Sequence, residues 1–298
     1  MMQKPLKLIC LFFILIAFVG CERDRGFTLK KITSYHNNHS KWNVHPPSLD
    51  EQKELCRIFS APFTYLGSGN HCYAFASEDG KYVMKFFKQK HMRTQFLIDY
   101  LPLPAKSLFY PTKKYLRRHK ERVKSFNSYK IAFEHLKKET GLFYLHLNKT
   151  KTLAKEVTLI DQHGNEILVN IDEMEFLIQK RAEVGYRKLD FLFAQGLKEE
   201  ALESIASIMT IVKTRIEKGF SDKDLQFYKN FGFIGSTAIE IDIGEIQKAL
   251  TSRNLQDIRN ELTEFSFQIS EWVESHYPEY KADVDRTILD MINQARES

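Results

Sequence analysis

Residues 66–75 read Leu66-Gly67-Ser68-Gly69-Asn70-His71-Cys72-Tyr73-Ala74-Phe75, and a second run, Tyr82-Val83-Met84-Lys85-Phe86-Phe87, follows shortly after. Gly67 and Gly69 can turn the chain and bring backbone N–H groups close to an anion with no Cβ in the way. Phe63 and Tyr65 before the glycines, and Tyr73 and Phe75 after them, predict flanking strands, with Asp79-Gly80 as a hairpin turn between the last two runs. The resulting order is strand, glycine loop, strand, tight turn, and a strand carrying a lysine. Taken alone, this is also the pattern of an ordinary hairpin with an exposed lysine.

The second half of the chain supplies the oxygen ligands that a phosphate-gripping site would need. Residues 219–233 read Gly-Phe-Ser-Asp-Lys-Asp-Leu-Gln-Phe-Tyr-Lys-Asn-Phe-Gly-Phe, followed by Ile239-Glu240-Ile241-Asp242-Ile243-Gly244. Mg²⁺ is a hard cation that takes oxygen donors, and Asn230 and Asp242 can offer them from opposite sides of a hairpin. An upstream carboxylate is needed to orient an attacking hydroxyl. Asp224 is the candidate and Asp222 the alternative.

In this order the glycine loop, Lys85, Asp224, Asn230 and Asp242-Ile243-Gly244 resemble the protein kinase fold, over about residues 60 to 250. The resemblance implies an α+β, bilobal protein kinase-like architecture: a small β-rich first lobe with a long helix, and a reduced helical second lobe. It implies Mg-ATP as cofactor, with Gly67, Gly69 and Lys85 on the nucleotide, Asn230 and Asp242 on the metal and Asp224 as base. It also implies a glutamate that holds Lys85. A single helix from Ser125 to about Asn148 would line up Tyr129, Phe133, Leu136, Thr140, Phe143 and Leu147 as one apolar stripe. Glu139 then lies on its border and Glu134 nearly opposite, so Glu139 is the candidate, with a solvated helix glutamate as the plainer reading of either.

Departures from the kinase pattern bear on activity. Cys72 stands where a third glycine is usual, Asp222-Lys223-Asp224 replaces His-Arg-Asp, and Asp224 to Asn230 is one residue longer than the usual spacing. No Ala-Pro-Glu follows Gly244. The short tail is similar to that of small bacterial phosphotransferases and degenerate pseudokinases. If active, the protein would be an ATP-dependent kinase acting on a hydroxyl acceptor; the alternative is an inactive pseudokinase serving as an envelope or host-interaction scaffold.

The N-terminus carries a separate signal. Lys4 and Lys7 precede an apolar run from Leu8 to Gly20, too short to span a bilayer but of the right length for an export signal. Phe18-Val19-Gly20-Cys21 resembles a bacterial lipobox, which implies acylation of Cys21 and a membrane-anchored lipoprotein of the cell envelope. The division expected is a signal peptide over 1–20, a polar tether over 21–47, a first lobe over 48–180 and a helical second lobe over 181–298. His36, His39 and His45 in the tether lack acidic or cysteine partners at metal-site spacing. Export and ATP use conflict. A binding-only pseudokinase, access to host ATP, and an uncleaved leader are the three resolutions left open.

With 298 residues, 43% hydrophobic and 28% charged, the chain can build a substantial core. Ser48-Leu49-Asp50-Glu51 reads as a capping box, Val157–Ile160 and Glu166–Val169 as a hairpin, and Phe176–Gln179 as the hinge strand. Ala201, Leu202, Ile205, Ile208, Met209, Val212 and Ile216 form one helical stripe; Leu262, Phe265, Ile269 and Trp272 form a second; Val284, Ile288 and Met291 a third. The net charge of +6 hides a basic stretch from Lys85 to Lys138, densest at Lys113-Lys114 and Arg117–Lys120, that could meet anionic lipid, phosphate or a protein partner. No nucleic-acid module is visible. Cys56 and Cys72 either bridge or remain two free thiols.

Overall fold

Seven strands form one sheet in the order β4-β7-β3-β2-β1-β5-β6. They are β1 (Phe63–Ser68), β2 (Cys72–Ser77), β3 (Tyr82–Phe87), β4 (Leu142–His146), β5 (Glu156–Ile160), β6 (Glu166–Asn170) and β7 (Phe176–Lys180). All neighbours are antiparallel except β1 and β5. The computed structural model describes residues 26–34, 36–89, 113–153, 155–249 and 254–294. Residues 1–20 and Cys21, on which the export and lipidation expectations rest, lie outside them. Among the described residues no helix is long and apolar enough to cross a membrane.

Alternation along the strands gives the sheet two apolar faces. Phe75, Met84, Phe86, Phe176 and Ile178 pack on one side. Cys72, Phe87, Leu145 and Leu177 pack on the other, against Phe126, Tyr129 and Ala132 of α2 (Lys113–His135). Lys85 lies between Met84 and Phe86 and so belongs to the α2 side. The helix α1 (Leu49–Ile58) begins as expected, with Ser48 Oγ accepting from Glu51 N and Glu51 Oε2 accepting from Ser48 N.

Below the sheet, α3 (Gly185–Ala194), α4 (Lys198–Glu217), α5 (Leu255–His276) and α6 (Lys281–Asn293) form a second core. All four residues of the Leu262, Phe265, Ile269 and Trp272 stripe are buried there, as are Ile205, Ile208, Met209 and Val212. Three short pairings cover the top of this lobe: β8 (Glu183–Val184) with β10 (Phe231–Ile234), β10 with β11 (Thr237–Glu240), and β9 (Phe220–Asp222) with β12 (Ile246–Lys248). The α+β, two-lobed architecture read from the sequence is the one observed.

Two expectations are corrected. The helix thought to run from Ser125 to Asn148 stops at His135; after one further turn, Lys137–Thr140, the chain enters β4. The helix breaks at Leu136, which leaves helical geometry with φ −127 and ψ 29, and Gly141, whose φ of +63 is left-handed, ends the extra turn; a Cβ there would also sit 2.9 Å from Ile239 Cδ1. The supposed tether is also part of the fold over its described residues. Phe27 and Ile32 are buried in the sheet core, Phe27 edge-on to Phe75 at 4.9 Å, and Trp42 is edge-on to Phe126 at 5.2 Å. Three isolated apolar anchors suffice for this, and they leave no periodic pattern to read.

Candidate functional site

The glycine loop is shaped by its own hydrogen bonds. The β1/β2 register shifts between Tyr65 and Gly67, and Gly69 N donates to Cys72 O at 3.0 Å. A Cβ at Gly67 or Gly69 would meet nothing within 4 Å, so the space over the loop backbone is open. Lys88 braces the loop from below, donating to Ser68 Oγ at 2.8 Å and to Gly69 O.

Opposite the loop, Asn230 closes a helical turn just before β10, and Asp242 follows β11. Ile241 N donates to Asn230 O at 2.6 Å, which clamps the two ends of this hairpin together. Asn230 Nδ2 donates to Asp224 O at 2.7 Å, leaving its Oδ1 as a free hard donor. Lys85 reaches across from the sheet and donates to Ile241 O at 2.7 Å. Burial lowers the Lys85 pKa, and the Asp242 carboxylate opposes the shift. Burial pushes the Cys72 thiol up to about 12, so it stands beside Lys85 as a neutral group.

These segments meet around one cavity lined by Asn70, His71, Asp222, Asp224, Asn230, Asp242, Gly244 and Glu245. Its volume is only about 10 Å³, roughly the space of one water. His71 at the tip of the glycine loop accounts for this: a Cβ on Gly244 would lie 3.0 Å from its ring, and its Nε2 is 3.8 Å from Glu245 Oε1. The donor set, a carboxylate and an amide oxygen, suits Mg²⁺. Room for a triphosphate would require the loop to move away from Gly244.

Of the other expected residues, Asp224 is exposed, and its Oδ1 accepts from Gln226 Nε2 at 2.6 Å. Asp222, the alternative, is buried, with Oδ1 accepting from Asp224 N at 2.9 Å. Glu139 is not brought to Lys85. It lies in the turn after α2 and pairs with Lys218 at 2.7 Å. Among the described residues no carboxylate is within ion-pair distance of Lys85. The misplacement follows from the break at Leu136, which ends the helix on which the periodicity argument rested. Cys56, exposed on α1, and Cys72, buried on β2, are both free thiols.

A buried cluster missed by sequence reasoning lies beneath this cavity. Arg215, fully buried on α4, stands 3.9 Å from Asp222 Oδ2 and 3.7 Å from Glu240 Oε2. Its guanidinium nitrogens have no hydrogen-bond partner among the described residues. Burial pushes Glu240 up to about 8, with Arg215 pulling the other way. Burial raises the Asp222 carboxyl as well, again with Arg215 opposing, so the two acids compete for one buried counter-charge. The available signal was Arg215 itself, a charge three residues after Val212 and one before Ile216, within the buried face of α4.

Several solved structures resemble the chain at low sequence identity. Two structures of WbdD, one described as a bifunctional kinase-methyltransferase, align at 15% identity with TM-scores of 0.37 and 0.38. They cover 76% and 78% of this chain and 42% and 45% of theirs, so the chain spans less than half the length of those proteins. The complex of Rv3197 with erythromycin from Mycobacterium tuberculosis aligns at 11% identity with a TM-score of 0.34, covering 85% of this chain and 73% of that one. No protein-family profile and no curated protein matches the chain.

Proposed function

We propose that the chain is a kinase-like, Mg-nucleotide-binding protein that transfers a phosphoryl group to a hydroxyl acceptor. The observation that carries this reading is that Asp224, Asn230 and Asp242 line one cavity with Asn70 and His71 of the glycine loop, while Lys85 reaches from the sheet to the carbonyl next to Asp242. When bound, Mg²⁺ would neutralise phosphate charge and help align the transferred group. Asp242 and Asn230 Oδ1 would hold it, Lys85 would add a fixed positive charge, and the space over Gly67 and Gly69, which no Cβ fills, would leave room for the phosphates. Asp224 is the better base of the two candidates because it is exposed, whereas Asp222 is committed to Arg215. A groove of about 590 Å³ lined by Ser221, Lys223, Leu225 and the α5 residues Asn260 and Glu264 shares Asp222 with the cavity, and an acceptor would approach along it.

Mg-ATP is expected to raise the melting temperature of the protein, and Lys85→Ala to remove the gain. A parent protein that melts identically with and without Mg-ATP would reject the nucleotide site. A second reading, a pseudokinase that binds a partner without turnover, is favoured by Lys85 resting on a carbonyl with no glutamate holding it. It requires that Asp224→Asn and Asp242→Asn leave biological activity intact. Attachment to an envelope membrane through acylated Cys21 is a further part of the proposal. It rests on the sequence alone, and labelled palmitate that enters the parent and the Cys21→Ser chain equally would sink it.

A further inference from the structure

A second cavity, of about 210 Å³, lies between the glycine loop, the end of β3 and the first half of α2. Its walls carry Lys88, Arg117, Arg122 and His71, with the rings of Phe87 and Phe126 as apolar surface. One carboxylate, Glu121, is on the wall, and a second, Glu175, stands behind Arg122 at 3.2 Å. Glu175 is already engaged: Ser34 Oγ donates to it at 2.5 Å and Gln89 Nε2 at 2.7 Å.

Two lining residues carry a buried polar atom with no hydrogen-bond partner among the described residues. Arg122 packs its guanidinium over the Phe126 ring at 4.5 Å and gives one terminal nitrogen to Glu175, but its buried Nε has no hydrogen-bond partner. Ser125, one helical turn further on, is 6% exposed and its buried Oγ is also unpartnered. Residues three apart share a helix face, so both donors belong to the same wall. Burial lowers Arg122 to about 10, which leaves it cationic at neutral pH. Buried donors without acceptors are rare in folded proteins, and an incoming acceptor would satisfy them.

We propose that this cavity is a second anion site, separate from the carboxylate-lined one, that takes a phosphomonoester group. Such a group brings three acceptor oxygens and more than one negative charge. That matches two unpartnered donors beside Lys88 and Arg117, and planar guanidinium groups suit phosphate geometry. The site stands without the kinase reading. If that reading holds, Asn70 and His71, which line both cavities, link the anion to the glycine loop, and each ligand alters the affinity for the other.

The phosphomonoester could be soluble or a lipid headgroup, and the test separates them. The full-length chain is titrated with inorganic phosphate without nucleotide, then mixed with phosphatidylcholine vesicles with and without phosphatidic acid. Ser125→Ala and Arg117→Glu are compared with the parent after melting curves establish that both fold. Saturable phosphate binding weakened about fivefold or more by each variant is expected. Vesicle binding that needs phosphatidic acid, is displaced by phosphate and fails in the same variants assigns a lipid source. Variant-sensitive phosphate binding with no such vesicle effect assigns a soluble one. Neither saturable phosphate binding nor variant-sensitive vesicle binding, or binding that ignores both variants, overturns the site.

Discussion

The two lobes bury charge in opposite ways. In the sheet lobe Glu175 is 2% exposed yet accepts from Ser34, Gln89 and Arg122, all within 3.2 Å. In the helical lobe Arg215, Asp222 and Glu240 are as deeply buried, but they meet at 3.7 and 3.9 Å, beyond hydrogen-bond reach. A buried charge is tolerable when its hydrogen-bonding capacity is met, and costly when only Coulomb attraction holds it. The costly arrangement adjoins the candidate site, where Asp222 Oδ1 accepts from Asp224 N, while the satisfied one stitches the N-terminal segment to the sheet.

The largest expected effect breaks the weaker cluster. Arg215→Met should destabilise the fold by roughly 3–5 kcal/mol, because Asp222 is left buried and uncompensated. Adding Asp222→Asn should return most of that loss, since removing both charges together is far cheaper than stranding one. Urea melts of the two variants make the measurement; a double variant as unstable as the single one contradicts the charge-balance account. Next in size, Ser34→Ala should cost about 1–3 kcal/mol through the acceptor it leaves unmet on Glu175. A loss below the measurement error would mean that residues 26–34 do not belong to the folded body.

The smallest effect is a slope with pH. Burial raises the Glu175 carboxyl above its ordinary value of 4.5, with Arg122 and Ser34 opposing. The folded state therefore holds this proton to higher pH than the unfolded chain does. Its contribution is complete below pH 4.5 and is lost as pH rises through the raised folded value. Glu175→Gln should flatten this part of the stability profile above pH 4.5, measured as the urea midpoint against pH. An unchanged slope would assign the dependence to other groups.

Much of this architecture was legible in the sequence because local patterns agreed with tertiary burial. The glycine hairpin, the Ser48 capping box and the stripes of α4 and α5 needed only period and turn chemistry to be read. Motif order placed Lys85, Asn230 and Asp242 in one neighbourhood, and Lys85 does reach the carbonyl next to Asp242. The failures have physical causes. The apolar stripe runs on through Leu136 and Thr140 in register with a helix although the helix itself breaks at Leu136 and the chain turns into β4 at Gly141, and Glu139 went with the error. Phe27, Ile32 and Trp42 are too sparse to give a period, although each finds a pocket. Arg215 was hidden because the chain reverses at Gly219 to bring Asp222 back beside it, and Glu240 arrives from a later strand, so no local spacing pairs the three.

The burial of Phe27 has a geometric consequence for any acylated form of the chain. If Cys21 carries the lipid, the five residues from there to Gly26 extend no further than about 18 Å. The folded body would ride against the headgroups on a short leash, with few orientations open to it. Its reach for an acceptor would be set by the bilayer surface, so a molecule of the adjoining leaflet, or one delivered to it, would meet the cleft far more often than one diffusing in the bulk.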